Sequence, residues 1–187
     1  MFSEQDFGMF VRALRFAADK HQNQRRKGHD QLPYVNHLIR VTDILWRVGE
    51  VRDVPTLVAA LLHDTLEDTD TTAGELETLF GAEVLAIVQE VTDDKTLPKA
   101  TRKQLQIEHA PHLSTAARLI KLADKIDNVY DVNHNSPEGW SHERQIAYLD
   151  WAEAVVAGLR GVNGSLDSHF DAVLYESREL LLKKKSP

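Results

Sequence analysis

The sequence of 187 residues contains no cysteine, which excludes disulfide bonds, thiolate chemistry and cysteine-based zinc sites. It has no apolar run near the ~20 residues that a membrane-spanning helix requires. Its first residues, MFSEQDFGMF, hold early acids and lack the basic segment and apolar core of a signal peptide. These absences predict a protein of a reducing compartment, and we expect the cytoplasm.

Positive charge is also scarce, because 22 Lys and Arg face 29 Asp and Glu and give a formal net charge of −7. This balance argues against binding to nucleic acid or to a membrane surface. An anionic ligand would need a metal ion or a local concentration of basic side chains. Two stretches, QRRKGH and DDKTLPKATRK, supply such clusters, although either could equally be a solvated polar face. They contain Arg25, Arg26, Lys27, Lys95, Lys99, Arg102 and Lys103.

Signals for β-structure are missing too, since apolar and polar residues nowhere alternate over the length of a strand. Apolar residues recur instead at helical spacing over nearly the whole chain. A chain of this size can bury roughly 70% of its unfolded surface without a disulfide or a structural metal. We therefore predict an all-α fold, with eight to ten helices in one domain spanning residues 1–187 and a frayed tail at residues 183–187.

Two local patterns predict where helices begin. In TTAGELETLFG, Thr72 and Glu75 form a capping-box pattern, and Gly81 is typical of a helix end. Ser136 followed by Pro137 is typical of an N-cap and a first-turn proline.

The segment LLHDTLEDTDTT follows the most apolar run of the chain and carries His63, Asp64, Glu67, Asp68 and Asp70. On a continuous helix Asp64 and Asp68 lie one turn apart, and like charges at that spacing are unfavourable by roughly 0.2–0.5 kcal/mol. A divalent cation would turn this repulsion into attraction. Imidazole and carboxylate ligands together suit Mn²⁺, Fe²⁺ or Zn²⁺.

Neighbouring residues of a helix point about 100° apart, so His63 and Asp64 need further ligands from other helices. His37 is one candidate, because it interrupts the apolar pattern of PYVNHLIRVTDIL. Asp124 is another, in the apolar helical pattern RLIKLADKIDNVYDV. Taken alone, His37 could be a hydrogen-bonded core histidine, and Asp124 could be a surface acid.

The order His37, His63-Asp64, Asp124 in an all-helical chain resembles the HD-domain metal phosphohydrolases. Among these enzymes, the chain most resembles the small alarmone hydrolases of the RelA/SpoT homologue group, and in particular the metazoan SpoT homologues. It covers about residues 12–161 and is carried by the segments KHQNQRRK, PYVNH, AALLHDTLEDTDTT, FGAEV, EVTDDKTLPK, KLADKIDN and SPEGWS.

This resemblance implies a metal centre and a reaction. One divalent ion, usually Mn²⁺, would be held by four residues, and the glutamate-aspartate pair after the HD motif would orient or deprotonate the attacking water. The implied substrate is guanosine tetra- or pentaphosphate, cut at the 3′-pyrophosphate to give GDP or GTP and pyrophosphate. The implied metal ligands are His37, His63, Asp64 and Asp124, and the implied catalytic pair is Glu67 and Asp68.

The resemblance also implies a nucleotide-binding set. Arg26 matches a family position near the nucleotide, and Lys27 and Lys99 are further candidates from the two basic clusters. Asn128 lies one helical turn after Asp124, where it could contact ribose or phosphate. Tyr148 matches another family position near the nucleotide, although packing against a tryptophan three residues later would explain it equally well.

Two positions depart from the family pattern. Leu38 follows the first metal histidine where a proline is usual, and Asp127 stands where an aromatic residue is common. We expect Asp127 to add an acid near the nucleotide side, which leaves base selectivity and affinity open.

Two other functions remain open from the sequence. The chain could be a phosphatase for another nucleotide, such as the 2′-phosphate of NADPH, or an alarmone-binding protein without activity. The chain shows no second nucleotide motif, so we expect hydrolysis without alarmone synthesis. The sequence leaves the oligomeric state undecided, with a homodimer among the alternatives.

Overall fold

The computed structural model describes residues 3–185, with residues 184 and 185 described by their backbone alone. Within this range the chain forms ten α-helices and a 3-10 turn without any β-strand, which confirms the all-α prediction. The elements are α1 (Glu4–Lys20), α2 (Val35–Arg47), α3 (Val54–Leu62), α4 (Thr65–Asp68), α5 (Ala73–Phe80), α6 (Ala82–Val91), α7 (Lys99–His109), the 3-10 turn (Ala110–His112), α8 (Thr115–His134), α9 (His142–Leu159) and α10 (Gly164–Lys185).

Helix α8 lies at the centre of the bundle, where it packs against α2, α3, α6, α9 and α10. Helix α3 is the second central element, because every residue from Thr56 to Leu62 is buried. This burial explains why the α3 sequence is apolar on all sides instead of along one stripe. The two helices position the site, since α3 ends at the HD dipeptide and α8 carries Asp124.

The predicted boundaries of α5 are confirmed. Thr72 Oγ1 accepts a hydrogen bond from the Glu75 backbone N–H at 3.2 Å. Gly81 ends the helix with a φ of +89°, a conformation that favours glycine. The Glu75 carboxylate leaves the capping box incomplete, because it accepts a hydrogen bond from Lys20 Nζ at 3.2 Å instead.

The predicted helix start at Ser136 and Pro137 is wrong. Pro137 pairs with Gly28 in an isolated antiparallel bridge, so the chain is extended there and cannot begin a helix. Helix α9 begins at His142, and Ser141 is its N-cap. The bridge ties the loop before α9 to the basic QRRKGH stretch, and so brings the two sides of a pocket together.

Helix α10 continues to the end of the described chain. It extends to Lys185, so residues 183–185 are helical, in contrast to the frayed tail expected there. Ser186 and Pro187, the remainder of that expected tail, lie outside the described residues. Among residues 3–185, no helix combines the length and the apolar character that crossing a membrane demands.

Candidate metal centre and adjoining pocket

The HD dipeptide lies in a turn, and not within the continuous helix that its spacing predicted. Helix α3 ends at Leu62, and α4 begins at Thr65, whose Oγ1 donates a hydrogen bond to the Leu62 carbonyl at 2.6 Å. The turn brings His63 Nε2 within 3.1 Å of Asp64 Oδ2. The two side chains therefore converge on one point, whereas consecutive residues of a regular helix would diverge.

Two further side chains reach the same point from α2 and α8. His37 Nε2 lies 3.2 Å from Asp124 Oδ1 and 3.8 Å from Asp64 Oδ2. His63 Nε2 lies 3.8 Å from Asp124 Oδ1. One potential ligand atom from each of His37, His63 and Asp124 lies within 4.8 Å of the others. All four predicted metal ligands thus come together, and Asp124 faces the interior instead of the surface.

The donor set fits a divalent cation. His63 Nε2 is buried and faces the carboxylates of Asp64 and Asp124. Among the described residues it makes no hydrogen bond of normal geometry. Burial alone would lower the pKa of His63, but Asp64 and Asp124 raise it to about 10. Burial would conversely raise the pKa of both carboxyls, yet His63 beside Asp64 and Lys125 beside Asp124 hold them low. The site therefore favours a positive charge at its centre.

Each potential ligand is held by a second group. The Nδ1 of His63 hydrogen-bonds to the Ala60 carbonyl at 2.8 Å. The Tyr34 hydroxyl donates to Asp64 Oδ2 at 2.6 Å. Asp124 accepts from Asn128 Nδ2 at 2.6 Å and from Lys125 Nζ at 2.9 Å. Tyr34 and Lys125 were missed by the sequence analysis, although both lie within segments that carry the resemblance, PYVNH and KLADKIDN.

The expectation that Asp127 lies on the nucleotide side is wrong. Asp127 is 3% exposed, and its Oδ2 lies 2.6 Å from His37 Nδ1, behind the ring of the metal-site histidine. Burial would raise the pKa of Asp127, but the hydrogen bonds from His37 and Arg40 hold it below its usual value. The described residues that line the cavities of the site do not include Asp127.

Glu67 and Asp68 line a cavity of about 160 Å³ together with the four potential ligands. Glu67 is loosely held, since it accepts from the Asp93 backbone N–H at 3.2 Å and from Arg102 at 3.5 Å. Burial raises the pKa of Glu67, and this favours it as a proton acceptor near neutral pH. Asp68 is more firmly bound, because it accepts from Gln24 at 3.0 Å and contacts Lys95.

A larger cavity of about 460 Å³ adjoins this smaller one. The two share seven lining residues: Tyr34, Glu67, Asp68, Asp93, Gln106, Lys125 and Asn128. The other walls of the larger cavity are basic and aromatic. All five predicted nucleotide-binding residues line it: Arg26, Lys27, Lys99, Asn128 and Tyr148. Lys103, named in the sequence analysis only as a member of a basic cluster, also lines it. The sequence analysis missed three further residues of the same walls: Trp140, Arg144 and Trp151.

The basic side chains of this pocket lie close enough together to repel one another. Burial lowers the pKa of Lys99, and the neighbouring Arg144 and Lys27 lower it further. The pKa of Lys103 is lowered by burial, and again by the nearby Lys99. Mutual repulsion of this kind marks a site that would bind an anion well, despite the negative charge of the whole chain.

Arg26 and Tyr148 each combine two roles. Arg26 lines the pocket, but its guanidinium also bonds to Asp131 Oδ2 at 2.8 Å and to Asn128 Oδ1 at 2.9 Å. Its charge is therefore partly neutralised. The Tyr148 ring packs against Trp151 with centroids 5.3 Å apart, and it lines the pocket as well, so the two sequence-based explanations do not exclude each other.

Comparison with known proteins assigns the family. The HD-domain profile matches residues 13–152, a range that includes all four residues of the metal centre. This chain belongs to the HD-domain family. This HD-domain chain is 52% identical over 168 residues to the Danio rerio protein named guanosine-3′,5′-bis(diphosphate) 3′-pyrophosphohydrolase MESH1, covering 90% of the present chain and 93% of that one. The Homo sapiens protein of the same name is 54% identical over 157 residues, covering 84% and 88%.

A solved structure with a similar fold supports the same family. It is that of a metazoan orthologue of SpoT that hydrolyses ppGpp, with a TM-score of 0.89 and 47% sequence identity. The similarity covers 96% of this chain and 98% of that one. The predicted resemblance to the metazoan SpoT homologues is therefore confirmed.

Proposed function

We propose that the protein hydrolyses guanosine tetra- or pentaphosphate at the 3′-pyrophosphate, with a divalent cation as cofactor. The observation that carries this proposal is that the candidate metal centre adjoins a pocket suited to a nucleotide. Two imidazoles and two carboxylates converge on one point, and the cavity that they line shares Glu67, Lys125 and Asn128, among others, with a basic and aromatic pocket. Relatives that are about half identical over most of their length carry the name of this activity.

The metal centre would be formed by His37, His63, Asp64 and Asp124. We propose Mn²⁺ as the ion, with Fe²⁺ and Zn²⁺ as the alternatives that the same ligand set accepts. A divalent cation bound there would lower the pKa of a water molecule and polarise a phosphoryl oxygen. The protein supplies the supports that keep the ligands in place, including the Tyr34 hydroxyl on Asp64.

Glu67 is the better placed of the two acids to take the proton of the attacking water. Its carboxylate has long hydrogen bonds and a raised pKa, so accepting a proton costs it little. Asp68 is bound by Gln24 and Lys95, which fixes its position and suits an orienting role. The products are GDP or GTP and pyrophosphate, because water enters at the phosphorus and the ribose 3′-oxygen leaves.

The adjoining pocket matches the remaining parts of such a nucleotide. Its lysines and arginines can neutralise phosphate oxygens, and positioning with electrostatics accounts for most of the catalysis in phosphoryl transfer. Trp140, Tyr148 and Trp151 form a run of neighbouring rings, with centroids 5.5 Å and 5.3 Å apart along the run. Aromatic faces of this kind bind bases by stacking.

A product assay tests the proposal. The purified protein with Mn²⁺ is incubated separately with ppGpp, pppGpp and NADPH, and pyrophosphate and inorganic phosphate are measured. We expect pyrophosphate from the guanosine substrates and a loss of activity with a chelator. Release of inorganic phosphate from NADPH, with the guanosine substrates intact, would refute the proposal.

A matched pair of variants makes the assay specific. Asp64→Asn removes a potential ligand and should abolish both Mn²⁺ binding and turnover. Asp70→Asn makes the same charge change six residues later, where the side chain is 86% exposed and pairs with Lys20. Asp70→Asn should therefore keep both properties. Tight ppGpp binding by the unsubstituted protein without turnover, at saturating metal, would indicate a binding protein instead.

A further inference from the structure

We propose that Asp127 is a positioning residue that fixes the tautomer of His37 and holds its Nε2 toward the metal centre, with Arg40 fixing Asp127 in turn. The inference rests on the metal centre of the proposed function. It is argued from the contacts that Asp127 makes with His37 and Arg40.

The hydrogen bond between His37 and Asp127 has one chemical interpretation. Asp127 Oδ2 lies 2.6 Å from His37 Nδ1, and both residues are buried. An ionised carboxylate can only accept hydrogen bonds, so Nδ1 must carry the proton and donate it. In the neutral ring this leaves the lone pair on Nε2, the nitrogen that faces Asp124 at 3.2 Å. Asp127 thus selects the tautomer that can bind a metal.

The two histidines of the centre are fixed in different ways. His63 Nδ1 bonds to the main-chain carbonyl of Ala60, which no substitution removes. His37 depends on a side chain from another helix, 90 residues away in sequence. The orientation of His37 can therefore be altered by a single substitution that leaves both rings, both ligand carboxylates and the backbone unchanged.

Arg40 determines how Asp127 is presented. Its Nε donates to Asp127 Oδ1 at 2.6 Å, and a terminal nitrogen donates to Asp127 Oδ2 at 3.3 Å. The same guanidinium bonds to Asp131 Oδ2 at 3.2 Å. Arg40 therefore holds both oxygens of Asp127 and His37 holds Oδ2 as well, so Asp127 cannot rotate without losing a charged hydrogen bond.

The substitution Asp127→Asn tests this arrangement. The carboxylate of Asp127 accepts hydrogen bonds at both oxygens, whereas the amide of asparagine accepts at one end and donates at the other. If the amide oxygen faces Arg40, the NH₂ group faces His37 Nδ1 and selects the tautomer with its proton on Nε2. If the oxygen faces His37, the NH₂ group meets the Arg40 Nε–H. The second orientation sets two donors against each other, so Arg40 favours the first, in which Nε2 carries a proton and cannot bind a metal, although the side chain keeps its size.

Calorimetric titration with Mn²⁺ tests the proposal on the full chain. We expect Asp127→Asn to weaken Mn²⁺ binding by about 10–100-fold, the range for groups that orient metal ligands. Asp43→Asn is the matched control, since it makes the same change on the His37 helix at a side chain that is 54% exposed. The control should bind Mn²⁺ like the unsubstituted protein.

A rescue experiment separates positioning from a structural effect. In Arg40→Met/Asp127→Asn the competing donor is gone, so the amide oxygen can turn to His37. We expect this double variant to bind Mn²⁺ more tightly than Asp127→Asn alone. General damage to the fold predicts the opposite, since the second substitution removes further hydrogen bonds from the same cluster.

A measurement on the unsubstituted protein tests the inference even if the Asp127 variants fail to fold. Histidine ¹⁵N spectra of the protein loaded with Zn²⁺, which is diamagnetic, should show His37 protonated on Nδ1. A proton on Nε2, or unchanged Mn²⁺ affinity in folded Asp127→Asn, would overturn the inference and leave the proposed function standing. Absence of Mn²⁺ binding by the unsubstituted protein would overturn the metal centre and the inference together.

Discussion

Replacement of Glu67 by glutamine separates proton transfer from metal binding. Glutamine keeps the length of the side chain and an oxygen that can accept from the Asp93 backbone N–H, now 3.2 Å from Glu67 Oε2. It cannot accept a proton near neutral pH. The substitution therefore removes the proposed base and leaves the four potential metal ligands in place.

The expected effect follows from the role of a general base, which contributes about 10²- to 10⁴-fold to a rate. Since each factor of ten equals about 1.36 kcal/mol, the barrier should rise by about 3–5 kcal/mol. The Mn²⁺ dissociation constant should change by less than about threefold, because Glu67 is not among the ligands. The free energy of unfolding should change by less than about 1 kcal/mol, since the present hydrogen bonds of Glu67 are long.

The pH dependence gives a second signature. Burial raises the pKa of Glu67, so the base becomes protonated at a higher pH than an ordinary glutamate does. The rate of the unsubstituted protein should therefore fall as the pH is lowered through that pKa. Glu67→Gln should lack this acid limb, because the group responsible no longer titrates.

The assay compares kcat, KM and Mn²⁺ affinity for Glu67→Gln and for Glu83→Gln, an exposed position on α6. Glu83→Gln should match the unsubstituted protein in all three. A Glu67→Gln protein that binds Mn²⁺ and keeps its full kcat would show that Glu67 is not the base. Loss of Mn²⁺ binding in that variant would instead make Glu67 a ligand, which also contradicts the assignment.

Three further substitutions test separate parts of the site. Lys103→Met should raise KM about tenfold and weaken the dependence of KM on salt, measured by steady-state kinetics, because it removes one cation from the basic pocket. Tyr34→Phe removes the hydroxyl that bonds to the aspartate of the HD turn at 2.6 Å, and should weaken Mn²⁺ binding at least several-fold by calorimetry. Gly28→Ala would place a methyl group 2.1 Å from the buried Asn135 side chain, and should cost about 1–3 kcal/mol of stability in thermal unfolding. Its control, Gly74→Ala, meets no atom within 4 Å and lies in helix α5, so it should leave the unfolding temperature unchanged or slightly higher.

The helices could be predicted because their signals are local. Thr72 and Gly81 mark the ends of α5 through hydrogen bonds and a backbone angle within a few residues. The same local rule failed at Ser136 and Pro137, where a bridge to Gly28 holds the chain extended. That partner lies more than 100 residues away in sequence, so no local pattern could have indicated it.

The sequence predicted which four residues come together, His37, His63, Asp64 and Asp124, but it did not predict their geometry. Helical periodicity continued through His63 and Asp64, whereas the chain turns there and brings both side chains to one point. The cause is partly visible at Thr65, whose hydroxyl bonds to the Leu62 carbonyl and competes with a regular helix. The sequence shows that a threonine is present, but only the fold shows which of its alternative hydrogen bonds forms.

Asp127 shows why an unusual residue can be noticed and still be assigned to the wrong place. The sequence shows that Asp127 departs from the family pattern. Because the neighbouring Asn128 is expected to contact the nucleotide, the sequence predicts the same location for Asp127. Its actual partners, His37 and Arg40, come from α2 and are reached only when α2 packs on α8. Arg26, in the loop before α2, bonds to Asp131 and Asn128, and Asn128 bonds to Asp124 one turn earlier on α8. Arg40 and Arg26 both donate to Asp131 Oδ2, so hydrogen bonds join the ring of His37 to the carboxylate of Asp124 by way of Asp127, Asp131 and Asn128.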